Sequence, residues 1–179
     1  MGSPQTLSQA DRRRVAAWAA DCAERALGVF EADVPGDDRP RELIARTRAF
    51  ARGELETGEE IRRRFVGGVG DGEATSPAAK AAARAAGQAA AVCHMGAHAP
   101  GAAAYAVRAV ALAHPARPDV TGEEIRWQLD HMSAEVRDAL RALPPAGEDP
   151  SGPLGPGLLT SGDVGAVVRQ LQARLSDAV

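Results

Sequence analysis

The sequence predicts an all-α protein: an Ala-rich helical bundle of about six helices, followed by a Pro/Gly-rich linker and a C-terminal helix. Three observations carry that reading. Between Pro77 and Ala113, 19 of 37 residues are alanine, the strongest helix former. Hydrophobic residues make up 45% of the chain but aromatic residues only 3%, so the core has to be built from Ala, Val, Leu and a few large anchors. Runs of Val, Ile, Thr and aromatic residues with period-two alternation, which a sheet needs, are scarce.

Taken in order, Ser8 followed by Asp11 marks a helix start, and Val15, Trp18, Ala19, Cys22, Ala26, Leu27 and Phe30 then recur at helical spacing, over about residues 9 to 31. Asp21 and Glu24 fall off that stripe, as a solvated face or as acids at a pocket edge. Pro35-Gly36-Asp37-Asp38 with Pro40 forms a turn that feeds a second helix, which turns Leu43, Ile44, Thr47, Phe50 and Ala51 inward and ends near Gly53. Arg39, Arg41, Arg46, Arg48 and Arg52 make this helix locally basic. It reads either as a solvated face of ion pairs or as a site for an anion or acidic partner.

A short third helix is expected from Thr57 or Gly58, burying Ile61, Phe65 and Val66 and stopping at Gly67. The glycine-rich stretch to Gly72 has no strand before it and no Gly-Lys-Ser/Thr after it, so it reads as a loop rather than a phosphate cradle. Ser76 and Pro77 open the central helix, which is expected to run to about His98. Pro100-Gly101 then starts another, to about Ala113.

Thr121-Gly122-Glu123-Glu124 has the form of a capping box, and Ile125, Leu129, Met132, Val136, Leu140 and Leu143 continue the pattern as one helix or as two divided at Ser133. Trp127 lies off that seam, where it covers a neighbouring helix or lines a groove. The helical bundle domain is therefore taken as residues 1–143. Residues 144–162 hold five prolines and five glycines and form a linker or an extended wrap. Residues 163–179 form an amphipathic helix with Val164, Val167, Val168, Leu171 and Leu175 on one face. About four turns long, it has to dock on this body or on another chain, which would make a homo-oligomer.

The net charge of −3, from 21 basic and 24 acidic residues, gives no general basic field for nucleic acid or an anionic membrane. Residues from Met1 to Arg14 lack the apolar segment of a signal peptide, so a soluble cytoplasmic protein is expected, with Cys22 and Cys93 reduced and buried.

The candidate chemistry centres on His94 and His98, spaced i and i+4 on a helical face that they share with Lys80, Arg84, Gly87, Gln88 and Ala91. That spacing lets two imidazoles reach one metal, but a third ligand would have to come from Asp21, Glu24 or His131. The expectation is therefore no metal and no cofactor. If the face is covered, it becomes a polar groove for a small molecule. His94 and His98 would then serve as acid and base, Asp21 or Glu24 would orient them, and Trp18, Tyr105 and Trp127 would wall the site. Cys93 and His94 are adjacent and point about 100° apart on a helix, so they do not form a nucleophile and base pair.

Several segments together resemble a known family. They are Trp18-Ala19-Ala20-Asp21-Cys22-Ala23-Glu24 with Phe30-Glu31, Pro35-Gly36-Asp37-Asp38-Arg39-Pro40-Arg41, and Ala49-Phe50-Ala51-Arg52-Gly53-Glu54. Ala85-Ala86-Gly87-Gln88 through His94, then His98, Ala103-Ala104-Tyr105-Ala106 and Trp127-Gln128, continue the pattern. They are similar to small bacterial proteins known as putative immunity proteins, over about residues 11 to 140. The resemblance implies a helical protein that neutralises a toxin or toxic agent by binding it. It also implies histidine at the place held here by Gln88, so it supplies no three-histidine metal site. Two readings follow. In the first, a protein partner is bound through the segment of Arg39, Arg41 and Arg52 or through the Trp127 region. In the second, a small molecule is bound or converted, as by an isomerase or cyclase, at His94 and His98 beside Gln88 and Tyr105.

Overall fold

The computed structural model describes residues 2–56, 59 and 73–177. The expected third helix, with Ile61, Phe65 and Val66, and the glycine-rich loop to Gly72 lie outside the described residues. Among the described residues there are seven α-helices and no strand. They are α1 (Gln9–Asp33), α2 (Arg39–Ala51), α3 (Pro77–Ala91), α4 (Ala99–Ala113), α5 (Val120–Asp130), α6 (Ala134–Arg141) and α7 (Gly162–Asp177). The fold is all-α.

Helix starts follow local chemistry. Ser8 Oγ accepts from the amide of Asp11 at 3.0 Å, Ser76 Oγ from that of Ala79 at 3.0 Å, and Ser133 Oγ from that of Val136 at 3.2 Å. Each satisfies one of the amides that a helix end leaves open. Pro40, Pro77 and Pro100 sit in first turns, where their missing N–H costs nothing.

The centre of the molecule is α1, α3 and α4 packed on one another, with α2 crossing α1 and α3. Ala79, Ala82, Ala83, Ala86 and Ala89 of α3 and Ala102, Ala103 and Ala106 of α4 are all buried in these two packed helices. Small side chains put little between the helix axes, so the backbones approach closely. Trp18, Phe30 and Phe50, also buried, fill the volume that alanines leave.

Two expected boundaries move. The central helix stops at Ala91 rather than near His98. Met95 is extended (φ −150°, ψ 113°), and Gly96–His98 form a single 3₁₀ turn. The N-terminal segment is the cause. The amides of Gly96 and Ala97 donate to the carbonyls of Thr6 and Gln5 at 3.0 Å each, replacing the helical bonds they would otherwise make. A side chain at position 96 would collide with Leu7, so glycine is required there. At the second boundary, α5 begins at Val120, and the expected capping box at Thr121 does not form. Asp119 holds the cap position without a side-chain bond.

The apolar face of α7, with Val164, Val167, Val168, Leu171 and Leu175, is buried against α4 and α6 of the same chain. Between α6 and α7 the chain runs as an extended wrap. Leu154 is fully buried, the Gln172 side chain accepts from the Ala146 amide at 2.9 Å and donates to the Pro144 carbonyl at 3.0 Å, and Arg141 Nε donates to the Leu175 carbonyl at 2.8 Å. Cys22 and Cys93 are free and buried. No helix among the described residues is long and apolar enough to cross a membrane.

Candidate functional site

Trp127 projects from α5 toward α1. The Arg25 guanidinium lies over its ring, 4.0 Å from the centroid, and His131, one turn further along α5, stacks on it at 3.9 Å with 19° between the planes. Arg25 is fixed in turn. Its Nε donates to both carboxylate oxygens of Glu124 at 2.8 and 2.9 Å, and Glu124 is only 3% exposed. His131 Nδ1 donates to the Trp127 carbonyl at 2.8 Å. Trp127 thus covers a neighbouring helix, and it does so as a half-buried aromatic pinned by a cation and an imidazole. Cation–π and stacking contacts of this kind hold a ring in one orientation.

Trp18 and Tyr105 have a different place. Trp18 is 2% exposed and its Nε1 donates to the Gln128 carbonyl at 2.9 Å, so it belongs to the core rather than to a groove wall. Beside it the buried Gln128 Nε2 donates to the Ala103 carbonyl at 3.1 Å. Tyr105 is likewise buried, with the Arg84 guanidinium 5.9 Å from its ring centroid.

His94 and His98 come together, but not by sharing one helix. They flank the break after α3, with ring centroids 5.0 Å apart and planes tilted by 48°. His98 Nδ1 and Gln88 Oε1 are hydrogen-bonded at 2.8 Å. Both imidazoles and Gln88 are half-buried. Asp21 and Glu24 are not brought to them. Arg48 NH2 donates to Asp21 at 2.8 Å and to Glu24 at 2.6 Å. Arg12, whose Nε donates to the Cys93 carbonyl at 3.0 Å, marks where α1 passes the histidines, and Asp21 lies about 13 Å further along the helix axis. The Arg48 bonds hold the Glu24 carboxyl below its usual range, against partial desolvation. Among the described residues no group of three or more His, Cys, Asp or Glu is placed to hold a metal ion.

Arg39, Arg41 and Arg48 of α2, and Arg52 just after it, are engaged with this chain's own acids. Arg39 makes a two-pronged pair with Asp37 at 2.8 and 2.5 Å and reaches Glu73 at 2.7 Å. Arg41 pairs with Glu31 at 2.6 Å and Arg52 with Glu54 at 2.6 Å. Asp37 and Glu54 are held below their ordinary carboxyl values by these bonds from Arg39 and Arg52. A separate groove of about 680 Å³ lies between α6, α7 and the start of the wrap, with Leu140, Leu143, Ala146 and Leu175 among its lining residues and Arg141 and Gln172 already bonded across it.

The sequence did not single out Arg25, and it pointed to Glu124 only as part of a helix cap and to His131 only as a candidate third metal ligand. The spacing of Trp127 and His131, four apart on a helix, was a legible signal; the placement of Arg25 from α1 was not, because only the packing of α1 near α5 creates it. Gln5, buried ahead of α1, gave no sequence signal at all.

Together these features define a small helical bundle that presents a pinned tryptophan on one surface and a pair of imidazoles at the α3–α4 corner. The family model described as Imm-5 like putative immunity protein matches residues 5–135, and the chain belongs to that family. No curated protein and no solved structure matches it.

Proposed function

We propose that this chain is a cytoplasmic immunity-type protein that binds and neutralises a partner protein, with the Arg25–Trp127–His131 stack as the anchor of the docking surface. The observation that carries the proposal is the stack itself. A half-exposed tryptophan already fixed by Arg25 and His131 loses little side-chain freedom on binding, and Trp and Arg are the residues that dominate binding energy at interfaces. Arg39, Arg41 and Arg52 are weaker anchors. Each would have to exchange a formed ion pair for a new one, an exchange with little net gain at an exposed site.

The test is native mass spectrometry of the tagged protein isolated gently from its own host, with Trp127→Ala and Arg39→Ala run in parallel. Wild type and Arg39→Ala are expected to retain one protein at fixed stoichiometry. Trp127→Ala is expected to bind the identified partner about 30-fold more weakly. Retention that is indifferent to Trp127→Ala and to Arg25→Ala sinks the surface assignment.

A second reading, small-molecule binding at the α3–α4 corner, is favoured by the Gln88–His98 hydrogen bond and the neighbouring His94 ring. A small adduct that disappears when His94 and His98 are both replaced by alanine would move the assignment there.

A further inference from the structure

We propose that residues 144–161 form a strap that closes over the Gln88–His98 pair, and that the side chain of Gln5 is its catch. Gln5 is 1% exposed. Its Nε2 donates to Asp149 Oδ2 and to the Ser151 carbonyl, both at 2.7 Å, and its Oε1 accepts from the Leu154 amide at 2.9 Å. The backbone carbonyl of the same residue accepts from the Ala97 amide at 3.0 Å. One residue therefore holds the strap by its side chain and the histidine corner by its main chain.

The chemistry selects an amide. The strap offers a carboxylate and a carbonyl to be donated to, and a backbone N–H to be accepted. A primary amide meets all three, whereas a carboxylate lacks the donors and an ammonium lacks the acceptor. The backbone is shaped around this contact. Gly152 has φ +80°, and a Cβ there would lie 2.7 Å from Gln5 Nε2, so the strap approaches the amide with a bare backbone. Leu7, at φ +60°, is a non-glycine residue in the left-handed region. It is held there by the Arg12 bond to its carbonyl at 2.9 Å and by its seat under Gly96.

The other end of the strap reaches the imidazole's partner. A Cβ built on Gly101 would lie 2.7 Å from Leu159 Cδ1 and 2.8 Å from Gln88 Oε1, the atom hydrogen-bonded to His98. Leu159 of the strap and the Gln88 amide thus crowd the same point of α4. Leu154 and Leu159 are the strap's buried leucines, and the rest of it is tied by hydrogen bonds such as Thr160 Oγ1 to the Gly155 carbonyl at 3.0 Å. Segments with few buried apolar groups and many loop hydrogen bonds open first, while the close-packed interior stays shut. Opening the strap uncovers Gln88 and Gly101 and leaves α1, α3 and α4 packed. This inference does not rest on the partner reading.

The test is hydrogen exchange on the full chain with Gln5→Ala and, from the strap side, Gly152→Ala. Both are expected to speed exchange about tenfold or more at Leu154 and also at Gly96 and Ala97, with the α1 and α3 interiors unchanged. His98 is expected to react faster with diethyl pyrocarbonate in both variants. The proposal is overturned if Gly152→Ala frees the strap amides alone while Gly96, Ala97 and His98 keep wild-type rates. It is equally overturned if Gln5→Ala loosens α1 and α3 to the same degree as the strap.

Discussion

The α1–α3–α4 interior and the 144–161 strap are held by opposite kinds of group. The interior is held by proximity: alanine faces bring backbones together. The strap is held by address. Single amide side chains, Gln5 and Gln172, pick out particular backbone groups on it. The first should be sensitive chiefly to added volume, and the second also to the loss of a single amide side chain or of a buried leucine.

The largest expected effect is therefore Ala103→Leu, which drives three extra heavy atoms into a fully buried α4 face. It is expected to cost about 3 kcal/mol in a denaturant melt. A cost under about 1 kcal/mol would show that the interior has slack and end the contrast. Next comes Leu154→Ala, the strap's fully buried anchor, at about 2 kcal/mol. The loss should appear as a local opening of residues 147–160 before global unfolding. Gln172→Ala should follow at about 1 kcal/mol, since it strands the Ala146 amide and the Pro144 carbonyl in partly buried positions where water is still within reach.

Acid sharpens the comparison without a mutation. Asp33, at the end of α1, accepts from the Thr75 amide at 2.7 Å and from its hydroxyl at 3.0 Å, tying α1 to the start of α3. Those bonds, the Thr75 amide first, hold its carboxyl below the ordinary value of 3.8. A depressed folded pKa contributes stability that is complete above the unfolded value and is lost as pH falls through the folded one. Exchange at Thr75 should therefore rise only below that ordinary value, ahead of exchange at the alanines in the middle of α3. Smallest of all is Leu158→Ser. At 71% exposed this leucine holds nothing, and the change should stay within about 0.5 kcal/mol by thermal melt.

The same contrast explains what the sequence disclosed. Helix existence was legible because alanine density, Ser8, Ser76, Ser133 and the prolines act within one turn of themselves. The end of α3 was not legible. It is set by carbonyls of Gln5 and Thr6 some ninety residues away, and nothing around Ala91 signals them. At the candidate site, Trp127 stood out by lying off the α5 seam, while its support by Arg25 and Glu124 depends on how two helices meet. The positive character of α2 was legible by counting. Its neutralisation was half legible, since Asp37–Arg39 and Arg52–Glu54 are two apart, but Arg48 with Asp21 and Glu24 requires the helix pairing.

The side-chain partners of Gln5 come roughly 145 residues later in the sequence. A ribosome adding about 5–20 residues per second makes the amide and its partners about 7–30 s apart. During that interval the corner at Gly96 and Ala97 can already be made, and the buried slot around Gln5 has to be filled by water. This polar closure is thus a late event that joins a segment to one made much later. A chain cut short before Leu154 would lack this seal and, with it, the α7 face that covers α4.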